Sequence, residues 1–140
     1  MTNFLTECEA KTSSDMSFIN AGILYNTTIG IRRYKEIPVV ISGHLNGDLG
    51  IWNGKTSQFL QFLKSHKSEI SGIEMISNEN YTQIISISYD QTVKFWDSED
   101  NGFNMSHTVK FDYPILCFTL SPNEKLMAFG GENRQLFVFK

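Results

Sequence analysis

The chain has 140 residues, 19% of them charged, and a net charge of −3. That length is ordinary for one domain. The mild acidity, with Arg32-Arg33 as the longest basic run, argues against direct nucleic-acid contact and against a disordered polyelectrolyte. No apolar run approaches the ~18 residues needed to cross a membrane, and Met1 to Ala10 lacks the basic start and apolar stretch of a secretory signal.

Residues 1–15 are polar and without periodicity, which predicts a flexible arm. Met16 to Asn20 is a short apolar segment that reads as a lone outer strand. Four strands follow at Thr28–Tyr34, Pro38–Ser42, Asp48–Trp52 and Gln58–Leu63. Leu45-Asn46-Gly47 supplies the central turn, and Pro38 sits at a strand start, where its missing donor costs least. The next four are Ile70–Ile76, Gln83–Ser88, Thr92–Trp96 and Ser106–Phe111, with Ser98 to Asn104 as a loop before the last. Period-2 alternation of Ile with Ser from Ile85 to Ser88, followed by Asp90 and a β-rich run, marks a hairpin in an antiparallel sheet. Three more strands lie at Ile115–Leu120, Leu126–Gly130 and Gln135–Phe139, and Ser121-Pro122-Asn123-Glu124 makes a turn whose Pro pre-sets φ.

The strands repeat. Trp52 lies 44 residues before Trp96, and Phe139 lies 43 after it. Six residues before each anchor stands Asn46, Asp90 or Asn133, short polar side chains suited to tight turns. A period of about 40–45 residues with four strands per unit is that of a propeller blade.

The ending Val93-Lys94-Phe95-Trp96-Asp97 resembles the last strand motif of a WD repeat. Trp52-Asn53-Gly54-Lys55-Thr56 is similar to the family's W-D-x-x-T connection, Ser65-His66 to its Gly-His pair, and Ser121 to Glu124 to its S-P-D-G turn. The resemblance covers about residues 16–140 and implies an all-β, WD40-type propeller segment of about three four-stranded antiparallel blades. The blades would occupy roughly 21–64, 65–111 and 112–140, the last completed by a strand such as 16–20. In this family first and last blades are often completed in that staggered way. Three blades are too few to close a ring, which takes about four to eight. The expectation is therefore a second copy, another chain, or a longer protein of which this is a piece.

The resemblance also implies a buried network in the second blade: His66, Ser86 or Ser88, Asp90 and Trp96. A buried indole N–H needs an acceptor, and an imidazole can bridge a hydroxyl and a carboxylate. The same residue types could suggest a hydrolase triad, but the repeat position explains each one structurally. The first blade has Gly22 where the histidine would fall, and the third has Asp112-Tyr113 there and Phe139 in place of Trp. Those blades should be less rigidly pinned, or held by packing alone.

No catalytic residue, cofactor or metal site is expected. His44, His66, His107, Cys8 and Cys117 show no close pairing of ligands. His44 reads as a sheet residue near a turn and Cys117 as a buried thiol. Gly43, Gly47 and Gly50 lack the strand-then-helix setting of a dinucleotide fingerprint. The three Asn-x-Ser/Thr matches, at Asn26, Asn80 and Asn104, read as coincidence in an intracellular protein, cytoplasmic or nuclear.

Partner binding is the implied function: a non-catalytic scaffold for protein–protein interaction within a multiprotein complex. The alternative is a propeller subunit of an RNA-processing or ribosome-associated assembly. In WD blades the residue before the turn Asp faces ligands, which selects Leu45, Tyr89 and Glu132, with Tyr89 foremost because aromatic residues dominate interface energy. Phe103 is a further expected exposed anchor. On the outer strand, either Leu60 or the set of Phe59 and Phe62 should face outward.

Overall fold

Alternating apolar residues fix which side of each strand is buried, and here several strands are apolar on both sides. β6 (Thr82–Ser88) is buried along almost its whole length, with Ile84, Ser86 and Ser88 on one face and Ile85 and Ile87 on the other. A strand covered on both faces must lie between two other layers. The computed structural model, which describes residues 26–34, 37–77, 81–100 and 102–140, places it there.

Three antiparallel sheets follow one another along the chain, and no helix occurs among the described residues. The first holds β1 (Asn26–Tyr34), β2 (Ile37–His44), β3 (Asp48–Asn53) and β4 (Phe59–Lys64) in sequential order. The second holds β5 (Ile70–Ser77), β6, β7 (Thr92–Glu99) and β8 (Gly102–Lys110). The third holds β9 (Ile115–Leu120), β10 (Met127–Gly131) and β11 (Leu136–Phe139), with β11 at its edge among the described residues. The inner strands stand side by side, β1 against β5 and β5 against β9. This is the stacking of propeller blades. The segment Met16 to Asn20, the arm before it and Gly22 lie outside the described residues.

Two cores lie between the sheets. Val39, Ile41, Leu49, Ile51 and Leu63 of the first sheet meet Ile73, Met75, Ile84, Trp96 and Phe103 of the second. Ile85, Ile87 and Val93 of the second meet Phe129 and Ile115 of the third, with Phe118, Met127 and Phe137 packed around them. Each fully buried aliphatic side chain contributes about 1.5–3 kcal/mol relative to exposure, so the stacking of the blades supplies most of the driving force.

Polar ties fix the alignment of the blades. Gly47, at φ +91°, lies so close to the next blade that a Cβ there would sit 2.2 Å from the His66 carbonyl oxygen. Its own carbonyl accepts the His66 N–H at 2.7 Å. Gln61 of β4 donates from Nε2 to the Phe103 carbonyl (3.0 Å) and accepts the Phe103 N–H at Oε1 (2.9 Å). Gly102, at φ +122°, lets β8 start against Gln61. Farther inward, the Ser71 hydroxyl donates to the Ile115 carbonyl across the second interface.

Four expectations are corrected here. The segment Ser98 to Asn104 is not a loop: β7 runs through Glu99 and β8 starts at Gly102, paired from Glu99↔Gly102 onward. Phe103 is consequently a core residue, 2% exposed. Cys117 is exposed, because it pairs with Gly130 on the face of β9 turned away from the second blade. On β4, Leu60 and Phe62 are both exposed, one from each side of the expected division, and a bulge opposite Ile51/Trp52 interrupts the alternation there. Phe59 turns to Trp52 edge-on at 5.1 Å.

Candidate functional site

The second blade carries the densest polar cluster among the described residues. His66 comes from the connector before β5, Ser86 from the middle of β6, Asp90 from the β6–β7 turn and Trp96 from β7. Trp96 Nε1–H donates to Ser86 Oγ at 3.1 Å. Ser86 in turn has its hydroxyl hydrogen for His66 Nε2, 2.8 Å away. The imidazole then keeps its proton on Nδ1, which faces Asp90 Oδ2 at 3.0 Å and Thr92 Oγ1 at 2.9 Å. The Thr92 hydroxyl closes the chain by donating to Asp90 Oδ1 at 2.6 Å. Each buried donor therefore meets an acceptor, which is the condition for a polar group to sit in a core without a large penalty.

Ser88 does something different from Ser86. Its hydroxyl lies within 3.0 Å of the Ser68 carbonyl and 2.8 Å of the Glu69 carbonyl, and it accepts the Asp90 N–H at 3.0 Å. It thereby ties the β6–β7 turn to the strand entry beside it. Asp90 Oδ2 also accepts the Lys67 N–H, and Oδ1 accepts the Thr92 N–H. Thr92, buried at the start of β7, completes the relay, and its place two residues beyond Asp90 is the signal that could have found it.

The electrostatics follow from this placement. Burial lowers the His66 pKa below its ordinary 6.5, and the Asp90 carboxylate offsets this only in part, so the ring is neutral at pH 7. Burial alone would raise the Asp90 carboxyl. The bonds from Thr92 and from the Lys67 N–H outweigh that effect and hold it below its ordinary 3.8. Ser86 is fully buried, so its hydroxyl cannot meet a substrate. The arrangement has the residue types of a nucleophilic triad but none of the access.

The first blade contains a shorter relay that sequence reasoning missed. Trp52 Nε1–H donates to Ser42 Oγ at 3.0 Å, and Ser42 Oγ lies 3.0 Å from His44 Nε2. The imidazole comes from β2 itself, and burial lowers its pKa, with Asp48 opposing weakly. Two polar residues at i and i+2 on one strand face, opposite a Trp, were the available signal. The first blade is thus not held by packing alone.

The third blade replaces the relay with rings. Phe129 stands 43 residues after Ser86, Phe139 stands 43 after Trp96, and Phe111 lies four residues before β9, as His66 lies four before β5. Phe129 is 5.6 Å from Phe139 and 6.0 Å from Phe111, and Phe118 stacks on it at 5.6 Å. An apolar cavity of about 40 Å³ remains beside them, lined by Val93, Phe95, Val109, Met127 and Phe139 among others.

At one end of the blades, the three turns between middle strands carry the proposed contact residues. Leu45, Tyr89 and Glu132 are all exposed. The Tyr89 N–H bonds the Glu69 carbonyl and the Glu132 N–H bonds the Pro114 carbonyl, so both turns are held to their inner strands in the same way. Phe103 lies away from this surface, in the core between the outer strands. Among the described residues, no helix is long and apolar enough to cross a membrane, and no three His, Cys, Asp or Glu side chains gather as metal ligands.

Comparison with known proteins agrees with this geometry. The family model described as WD domain, G-beta repeat, matches residues 57–97. Eukaryotic translation initiation factor 3 subunit I of Culex quinquefasciatus is 30% identical over 99 residues, 71% of this chain and 29% of that protein. Its counterpart in Danio rerio is 33% identical over 101 residues, with the same shares. Maintenance of telomere capping protein 5 of Saccharomyces cerevisiae is 37% identical over 83 residues, 59% of this chain and 7% of that protein. The matched region thus spans less than a third of the length of these relatives. Among solved structures, the Cps50 (Swd1) β-propeller domain of Myceliophteria thermophila matches with a TM-score of 0.67 at 22% identity, over 81% of this chain and 35% of that one. Propellers of this kind are generally non-enzymatic interaction scaffolds. With its repeated anchors, its stacked antiparallel sheets and these relatives, the chain belongs to the WD-repeat family of β-propellers.

Proposed function

We propose that the protein is a non-catalytic scaffold that mediates protein–protein interaction within a multiprotein complex. The observation that carries this reading is the exposed apolar face of the third blade among the described residues. Leu136 is 71% exposed and Val138 57%. Their counterparts one repeat earlier are Val93 and Phe95, and two repeats earlier Leu49 and Ile51. Leu49, Ile51 and Val93 are at most 2% exposed, each lying under the following blade. An apolar face of this kind is suited to being covered. A further blade, from a second copy, another chain or a longer protein of which this is a piece, has the matching shape. Leu45, Tyr89 and Glu132 then serve as docking positions for other proteins on the turn surface.

A second reading is favoured by the relatives named as subunits of eukaryotic translation initiation factor 3: a propeller subunit of a ribosome-associated assembly. Either reading has other proteins as partners, no direct nucleic-acid contact, and a place in the cytoplasm or nucleus.

Light scattering over a range of concentrations, on the chain and on a Leu136→Glu/Val138→Glu variant, tests the proposal. Self-association abolished by the substitutions assigns the face to a second copy. A monomer whose recovered partners are lost on substitution assigns it to another chain. If the substitutions change neither mass nor partners, the scaffold reading through this face fails.

A further inference from the structure

We propose that Met105 is an oxidation site of this protein, taking one oxygen atom from a peroxide, and that Lys94 and Thr108 receive the resulting sulfoxide. The inference concerns the second blade and stands apart from the scaffold reading.

A bulge makes the site. Residues three apart on a regular strand point to opposite faces, so the sequence by itself separates Met105 from Thr108. In β8 the register shifts opposite Phe95/Trp96, and Met105 pairs with Trp96 while Thr108 pairs with Lys94. Trp96 and Lys94 are two apart on β7 and share a face, which brings Met105 and Thr108 together beside them. The matching bulge in β4 sets Phe59 opposite Trp52 and Phe62 opposite Gly50, and the two Phe rings lie 6.3 Å apart. The second blade has a thioether, a hydroxyl and an ammonium at the places of Phe59, Phe62 and Gly50.

Lys94 Nζ donates to Met105 Sδ at 3.5 Å, and Thr108 Oγ1 donates to it at 3.4 Å. A thioether sulfur is a weak acceptor, so two donors converge on a group that uses them poorly. The pair fits an oxygen on that sulfur better than it fits the sulfur. Access is open as well: Met105 is 52% exposed, whereas Met75 is 3% exposed and Met127 packs into the second core. Met105 shares the face of β8 that carries Phe103 into the first core, so its exposure arises at the seam of two four-stranded sheets.

In the reaction, the sulfur lone pair attacks one oxygen of hydrogen peroxide and the O–O bond breaks. The departing hydroxide takes the proton of the new S–OH group. The products are sulfoxide and water, with sulfur oxidised and peroxide reduced. The new oxygen accepts from Lys94 and Thr108, and an exposed apolar side chain becomes a polar one tied to the sheet beside Trp96.

The test treats the 140-residue chain with limiting hydrogen peroxide and maps the products by mass spectrometry of peptides. Thermal melts follow, after dithiothreitol has reversed any cysteine sulfenic acid. Met105 is expected to gain oxygen at least about tenfold faster than Met75 and Met127. In Lys94→Ala/Thr108→Val, the change of melting temperature on oxidation should be more negative than in the wild type by about 2 °C or more. Met105→Leu should make the melting temperature indifferent to the same dose. Oxidation of Met75 or Met127 at a rate comparable to Met105 overturns the site. A shift that persists in Met105→Leu overturns Met105 as its source. Equal shifts in the wild type and in Lys94→Ala/Thr108→Val overturn the reception of the sulfoxide by those two side chains.

Discussion

The second and third blades solve one packing problem with opposite chemistry. In the second, Trp96 brings an N–H into the core, and Ser86, His66, Asp90 and Thr92 form a chain that satisfies it. In the third, Phe139 brings no N–H, and rings occupy the matching places: Phe129 for Ser86 and Phe111 near the site of His66. The lesson is that such positions change together. One Phe among the polar partners would leave a buried hydroxyl or imidazole unpaired, at about 1–3 kcal/mol. One Ser among the rings would do likewise.

That contrast can be broken from either side. The largest loss is expected from Phe129→Ala, which removes the ring that Phe111, Phe118 and Phe139 all touch. Truncation of a core Phe costs about 3–5 kcal/mol, readable as a lower denaturant midpoint. His66→Ala comes next, at about 1–3 kcal/mol, because Ser86 and Asp90 lose their bridge.

Acid sharpens the comparison. His66 and His44 have folded pKa values below the unfolded 6.5, so the unfolded chain takes up protons first as pH falls. Their contribution to stability is full above about pH 6.5 and declines below it. Asp90, also lowered, adds a second loss as pH falls below 3.8. A pH series of thermal melts should show the first decline in the wild type and a smaller one in His66→Ala, whereas Phe129→Ala should keep the wild-type pH profile. The smallest effect on stability belongs to Tyr89→Ala, on an exposed turn. It should stay within about 0.5 kcal/mol, yet reduce the recovery of partners in an affinity capture.

Much of the architecture was legible because repeat, turn residue and alternation agreed. The anchors Trp52, Trp96 and Phe139 place β3, β7 and β11, and the polar residue six positions earlier places each turn. The second-blade cluster was readable from the same frame, apart from Thr92 and the separate task of Ser88. What escaped depended on partners distant in sequence. Phe103 follows a polar, Gly-containing stretch that reads as a loop, and only the grip of Gln61, 42 residues away, shows the strand to be longer. His44 was hidden because its imidazole comes from a strand and not from the connector. Cys117 was misplaced because apolar alternation does not say which face the next layer covers.

The central claim is that Ser86 and Trp96 act as one unit, replaced together in the third blade. A double-mutant cycle of Ser86→Ala and Trp96→Phe, read by denaturant unfolding, tests this most directly. The account predicts a coupling within the 0.5–3 kcal/mol usual for residues in one network, with Trp96→Phe costing much less once Ser86 is gone. Additive losses, within about 0.3 kcal/mol of their sum, would contradict it.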